Sequence, residues 1–320
     1  MKLSVLDLAP VLPQADAAVA LKQALLLAQT AERLGFERYW VAEHHDMPGL
    51  ACTAPEVLLA HIGAQTQRIR LGSGAVLLPH YKPMKVAEAF HMLATLYPGR
   101  IDLGLGRAPG GSAHAAIALS GNFLASVGRM PETLQELLAF LNGTYTYEGQ
   151  PVAARPVPAE PPQVWMLGTN KKSAEFAAQY GTGYVFGHFM SDTDAQETIA
   201  AYRSQFQPSA QGGQARAMLA VGVICADTAE AAQALAAESA AWFRPTELRD
   251  PQLPAAQPSK AADTGRKLLV GTPQQVQAQL KELGAACGVE EFLVVTYIAD
   301  YALRLRSYEL LAERPYREHG

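Results

Sequence analysis

Eight short runs rich in aliphatic and β-branched residues recur through the chain, each parted from the next by a longer stretch with helical spacing. The first four are "LSVLDL" from Leu3, "RYWVA" from Arg38, "RLGSGAVLL" from Arg70 with Ile69 leading in, and "RIDLGLG" from Arg100. "QVWMLG" from Gln163, "YVFGH" from Tyr184, "MLAVGVICA" from Met218 and "EFLVVTY" from Glu291 complete the set. Several are nearly continuous in Val, Ile and Leu, as expected of parallel strands covered on both faces. Strands that alternate with helices join into parallel sheets through crossover connections. Eight such units predict an α/β protein, a single (β/α)8 TIM barrel spanning residues 1–320, with a doubly wound open sheet as the competing arrangement.

The intervening stretches carry helix punctuation. Leu21, Leu25, Ala28, Ala31 and Leu34 fall on one helical face, and Gly35 supplies the stop. Pro83 suits a first helical position, Val86, Phe90, Leu93 and Tyr97 line a face, and Pro98-Gly99 ends it. Two segments break the rhythm. Residues 108–162, between the fourth and fifth strands, insert an extra helix ("PETLQELLAFLNG") and a Pro-rich stretch ("QPVAARPVPAEPPQ"). Residues 244–266 are polar and Pro-rich and read as a long lid-like loop, since long loops in compact enzymes are usually functional.

Composition narrows the partners. Hydrophobic residues make up 49% of the 320 and charged residues 18%, enough for a large core and too little charge for disorder. With a formal net charge of -4 and no basic stripe, neither nucleic acid nor an anionic membrane is expected, which leaves small molecules. Cys52, Cys225 and Cys287 lie far apart with no CxxC pair, which fits a reducing compartment. The first residues break at Pro10 and Pro13 and make a poor secretory segment, and no apolar run approaches the ~20 residues of a membrane span. A cytoplasmic protein is expected.

An active site in such a barrel lies at the C-terminal ends of its strands. The polar residues that follow strands are therefore the candidates. Glu43, His44 and His45 follow the second, Ser73-Gly74 lies within the third, and Arg107 follows the fourth. Gly168-Thr169-Asn170 follows the fifth and His188 the sixth. "MLGTNKKSAEF" leads into a helix whose first-turn N–H groups are free to bind a phosphate, with Thr169, Asn170 and Ser173 as side-chain donors. Ordinary N-capping by Thr or Asn is the alternative. Lys171 and Lys172 either add charge there or are simply solvated. Arg107, at a neighbouring strand end, favours phosphate because a guanidinium pairs bidentately with its oxygens. "GLGRAPGG" from Gly104 fails as a dinucleotide fingerprint: it lacks the third glycine and an acidic partner ~20 residues on.

"EHHD" from Glu43 leaves three readings: a metal site, a structural polar loop, or a histidine that faces cofactor or substrate. Adjacent histidines on extended chain point to opposite faces, and the HExxH spacing is absent, so no metal site is expected.

The block "RYWVAEHHDMPGLACTAPEVLLAHIGAQTQRIRLGSGAVLLPHYKPMKVAEAFHMLATLYPGRIDLGLGRAPGG", with "VWMLGTNKKSAEFAAQYG" and "VGTPQQVQAQL", resembles the bacterial-luciferase-like family of flavin-dependent monooxygenases, within it the small single-gene oxidoreductases. The resemblance covers nearly the whole chain. It implies FMN at the C-terminal rim, used as FMNH2 with O2 to oxygenate a small organic substrate through a flavin C4a-(hydro)peroxide. It places His44 near the isoalloxazine as the catalytic residue and Arg107, Gly168, Thr169 and Ser173 at the phosphate. It also sets Ser73, Gly74 and Ala75 against the flavin, with a cis peptide at Gly74–Ala75. No nicotinamide site is visible, so a separate flavin reductase is expected to supply FMNH2. A homodimer is expected through the faces of "EVLLAHIG" and "AFHMLATLY", which alternatively pack on the barrel. The rival functions are a deazaflavin-dependent hydride-transfer enzyme and a non-catalytic FMN-binding protein.

Overall fold

The computed structural model describes residues 1–208, 213–242 and 267–313. Its central sheet is built from β1 (Lys2–Asp7), β2 (Arg38–Val41), β3 (Arg70–Ser73), β4 (Ile101–Gly106), β5 (Gln163–Gly168), β6 (Gly183–Gly187), β7 (Ala217–Cys225) and β8 (Glu291–Val295). Each pairs in parallel with the next, and β8 returns to β1, so the eight strands close into a ring. The eight runs predicted as strands are these eight. A short strand, Leu268–Gly271, adds to the second half of β7, which projects beyond the ring. The lid-like segment 244–266 lies outside the described residues.

The barrel interior is filled by pairing large with small. Trp40 on β2 is in register with Gly72 on β3, and Trp165 on β5 with Gly183 on β6. A Cβ at either glycine would fall inside the neighbouring indole. The two tryptophans meet edge to face, their ring centroids 5.9 Å apart. Below them a charged plug closes the N-terminal end. Asp102 is buried and receives Arg38 at 2.8 Å, Arg70 at 2.6 Å and the Trp40 indole N–H at 3.0 Å, while Arg38 also donates to Glu291 at 2.7 Å. A buried carboxylate is tolerated because each lone pair has a donor. That plug leaves only the C-terminal end open.

Helices clothe the ring, and the second core lies between them and the strands. The first helix, Ala17–Leu34, ends at Gly35 in the left-handed conformation, as its sequence predicts. Its buried face is carried by Ala20, Ala24, Leu27, Ala28 and Ala31; Leu21 and Leu25 flank it, and Leu34 is exposed. The expected stripe is thus turned by about one position, because small residues let the helix lie close on the strands. Pro83–Leu96 forms as expected, with Val86, Phe90 and Leu93 buried. The "PETLQELLAFLNG" helix, Met130–Leu141, is not an extra element: Leu134 and Leu137 are fully buried and it packs beside Pro83–Leu96 as part of the barrel coat. The inserted helices are Ala113–Ser120 and Phe123–Gly128, too short and too exposed to show a clear stripe in sequence. Among the described residues no helix is long and apolar enough to cross a membrane.

The third strand is shorter than its sequence suggests. The run read as continuous to Leu78 ends at Ser73, the Gly74–Ala75 peptide is cis, and Val76–Leu77 resumes by pairing with Leu105 and Gly106 of β4. The result is a bulge at the C-terminal rim.

Candidate active site

A cavity of about 580 Å³ opens at the C-terminal end of the barrel. Every strand or its following turn contributes to it: Leu6 on β1 and Leu8 after it, Glu43 and His44 after β2, Gly74, Ala75 and Leu77 from the bulge, and Gly106 at the end of β4 with Arg107 after it. Gly168, Thr169, Asn170 and Ser173 come from the turn after β5, Gly187 and Phe189 after β6, Ala220 from β7 and Tyr297 after β8.

The two histidines diverge. His44 lines the cavity, its backbone N–H fixed on the Cys52 carbonyl at 3.0 Å. His45 turns the other way, its Nε2 2.7 Å from the Glu43 carboxylate and its ring edge-on to His80. Glu43 is sealed from solvent. Beyond His45 it receives the Tyr81 hydroxyl at 2.9 Å and the Leu77 N–H at 3.1 Å. Burial pushes its pKa up, and those three hydrogen bonds pull it back in part. Among the described residues no group of three or more His, Cys, Asp or Glu side chains gathers to hold a metal.

The turn after β5 brings a helix N-terminus to the cavity with Thr169, Asn170 and Ser173 on it. Helix Lys171–Gln179 begins with a capping box: the Asn170 side chain accepts from Ser173 N at 3.1 Å, and Ser173 Oγ sits 3.4 Å from Asn170 N. The capping that sequence offers as the alternative to phosphate binding is therefore present, but it uses only part of the N-terminus. The N–H groups of the first two helical positions have no partner within a helix in any case. Ser173 Oγ also contacts the Tyr184 hydroxyl at 3.0 Å. Burial pushes the Tyr184 phenol up to about 12, and Ser173 and the positive field of Arg107 act against that shift. Arg107, an exposed residue, lines the same cavity as this turn. Lys171 is turned to solvent, its ammonium 2.6 Å from Glu197.

The structure brings together seven of the eight residues singled out in sequence: His44, Gly74, Ala75, Arg107, Gly168, Thr169 and Ser173 all line the cavity. Ser73 stands apart. Its hydroxyl is wholly buried, donating to Gly104 O at 2.8 Å and accepting from Gly104 N at 3.1 Å, so it replaces the ladder bonds lost where β3 ends. His188 is also outside the lining. What sequence reasoning missed is the apolar share of the wall, among it Leu8, Met47, Leu50, Phe189 and Tyr297. Leu8 and Tyr297 were read as the last residues of the first and eighth strands, which in fact end at Asp7 and Val295.

The donor set has a definite character. Among the described residues Arg107 is the one cation in the lining, beside a helix N-terminus, and much of the rest of the wall is apolar. That combination suits a ligand with a flat apolar body and a single phosphate, and FMN meets the description.

The chain matches the family described as luciferase-like monooxygenase over residues 1–291. It is 37% identical over 322 residues to the luciferase-like monooxygenase of Escherichia coli (strain K12), covering 96% of this chain and 95% of that one. It is 33% identical to the N-acetyl-S-alkylcysteine monooxygenase of Bacillus subtilis (strain 168), covering 98% of each. The crystal structure of apo-MsnO8 superposes with a TM-score of 0.87 at 38% identity, covering 97% of each chain.

Proposed function

This chain belongs to the luciferase-like monooxygenase family and is an oxygenating oxidoreductase, and we propose that it works with FMN, reduced elsewhere, to oxygenate a small organic substrate in the rim cavity. The observation that carries this reading is one cavity lined at once by Arg107 and the helix seat Gly168–Ser173, by the Gly74–Ala75 bulge, and by His44. When bound, reduced flavin supplies the electrons that activate O2. The protein's share is to hold, orient and dry the site.

Arg107, Thr169 and the backbone N–H groups ahead of Ser173 hold the phosphate. Ser173 contributes chiefly by capping the helix, since its hydroxyl already meets Asn170 and Tyr184. Gly74, Ala75 and Leu77 present the bulge to the ring, with Leu6 and Val185 extending the apolar wall. His44 holds or moves a proton at its imidazole, the one side chain whose ordinary pKa lies near neutrality. Among the described residues the lining holds a single cation, which favours FMN over a deazaflavin with a longer polyanionic tail.

Reduced flavin comes from a separate flavin reductase. Homodimerisation uses Val57, Met92 and Leu96, which remain exposed on Pro55–Gly63 and Pro83–Leu96 after the rest of those apolar faces has packed on the barrel.

Titration of the protein with FMN, followed by flavin fluorescence, tests the cofactor. Rapid mixing of FMNH2-loaded protein with aerated buffer tests the chemistry. A species that absorbs before oxidised flavin appears supports an oxygenase; a single-step return to oxidised flavin favours the deazaflavin or storage readings.

A further inference from the structure

We infer that Glu43 is a positioning residue, whose buried carboxylate locks three rim loops into one register and so sets where His44 and the Gly74–Ala75 bulge stand in the cavity. The lock is a matter of geometry; only what the loops face rests on the FMN reading above.

Glu43 has no exposed side-chain surface, and a carboxylate in that position is costly unless its oxygens meet donors. Here they meet three. Oε2 accepts from Leu77 N at 3.1 Å, and Leu77 belongs to the short strand Val76–Leu77 that resumes pairing after the cis bulge. Oε1 accepts from the Tyr81 hydroxyl at 2.9 Å, which ties in the turn beyond the bulge. The same Oε1 is 2.7 Å from His45 Nε2, and the His45 backbone N–H donates to Gly110 O at 2.8 Å. That last bond reaches the turn after β4, which begins with Arg107. His80, edge-on to His45, reinforces it through Nε2 at 2.9 Å from Pro109 O.

One side chain therefore joins the turn that bears His44, the bulge, and the turn that bears Arg107. The third strand holds its end here only through β4: the Leu77 N–H is given to Glu43, and the last bond to β2 is from Gly74 N to Val41 O at 2.8 Å. The "EHH" triplet reads accordingly. Its middle residue faces the cavity while its first and third face each other behind the wall.

Glu43→Gln separates positioning from mere support. Glutamine has the same shape and can still accept from Leu77 N, but its amide puts hydrogens toward Tyr81 and His45, where the carboxylate only accepts. Amide hydrogen exchange on the cofactor-free protein is the first measurement. Glu43→Gln should raise exchange in residues 74–81 and 107–111 together, by about tenfold or more, and leave the helix Pro273–Cys287 unchanged. A rise confined to 74–81, or no rise, overturns the three-loop lock. If the variant unfolds instead, His45→Ala, which removes the ring that ties this turn to Glu43 and His80 and leaves the backbone bond to Gly110 O, should raise exchange in 107–111 without unfolding, and its failure to do so overturns the lock equally.

The second measurement uses FMN. Glu43→Gln should shift the visible spectrum of bound FMN toward that of free FMN while Kd rises less than about tenfold, because the Gly168–Ser173 part of the phosphate seat is outside the three loops. An unchanged spectrum means that Glu43 only supports the fold. Failure of the wild-type protein to bind FMN rejects the flavin reading, and the exchange experiment then still decides the lock.

Discussion

The Asp7 carboxylate accepts a hydrogen bond from Arg304 at 2.8 Å, joining the end of β1 to the final helix, Tyr301–Ala312. Both side chains are buried, and Asp7 also receives the Tyr39 hydroxyl at 2.6 Å and the Ala9 N–H at 2.7 Å. Asp7 stands between Leu6 and Leu8, which line the cavity.

Removing one member of a buried ion pair leaves the other charge uncompensated, at a cost of about 3–5 kcal/mol. Arg304→Ala should lower unfolding free energy by that amount in urea titration. A loss below about 1 kcal/mol would mean that Asp7 is neutral or hydrated.

Arg107→Ala should weaken FMN binding selectively. One charge-assisted contact is worth roughly 1.5–3 kcal/mol, or about 10- to 150-fold in Kd. Riboflavin, which lacks the phosphate, should bind wild type and variant alike. Lys171→Ala, whose ammonium is engaged with Glu197, should leave both affinities unchanged. Equal losses for FMN and riboflavin in Arg107→Ala would place the guanidinium elsewhere on the ligand.

The barrel was legible because its signal is local: eight apolar runs, each parted from the next by longer chain with helical spacing, need no tertiary information, and all eight are strands. Residues after those strands were legible by the same logic, which is how His44, Arg107 and Gly168 were found. Ser73 was misplaced for a local reason. Sequence gave its position in β3 but not that the strand stops there, so a residue expected to face the ring instead mends the ladder through Gly104. Glu43 stayed undecided because its role depends on Leu77 and Tyr81, 34 and 38 residues away, which no spacing rule connects. The helix Met130–Leu141 was read as extra because an insertion precedes it, although its own stripe of Leu134, Leu137 and Leu141 points to the core.

Stability should depend on pH through Glu43. Burial raises its pKa above the ordinary 4.5, so the folded protein binds this proton more tightly than the unfolded chain. The resulting stabilisation is fully present below the unfolded value and is lost as pH rises through the folded one. Glu43→Gln lacks that dependence. In urea titrations from about pH 4.5 to about pH 8, the stability of Glu43→Gln relative to wild type should therefore move in the variant's favour as pH rises. A difference that stays constant would show that the hydrogen bonds from His45, Leu77 and Tyr81 cancel the effect of burial.

His44 lines the cavity on a turn fixed by its own backbone N–H to Cys52 O and by the Glu43 carboxylate beside it. Binding and chemistry should then part company in His44→Ala. FMN affinity, set by the phosphate seat and the apolar wall, should stay within about threefold, the scale of one weak contact. Peroxide release from FMNH2-loaded protein in aerated buffer should rise by at least about tenfold, the low side of what a positioned proton donor or acceptor contributes. An amplex-type peroxide assay run alongside the fluorescence titration reads both. Peroxide release equal to wild type would remove His44 from the chemistry, and a large loss of affinity would make it a binding residue instead.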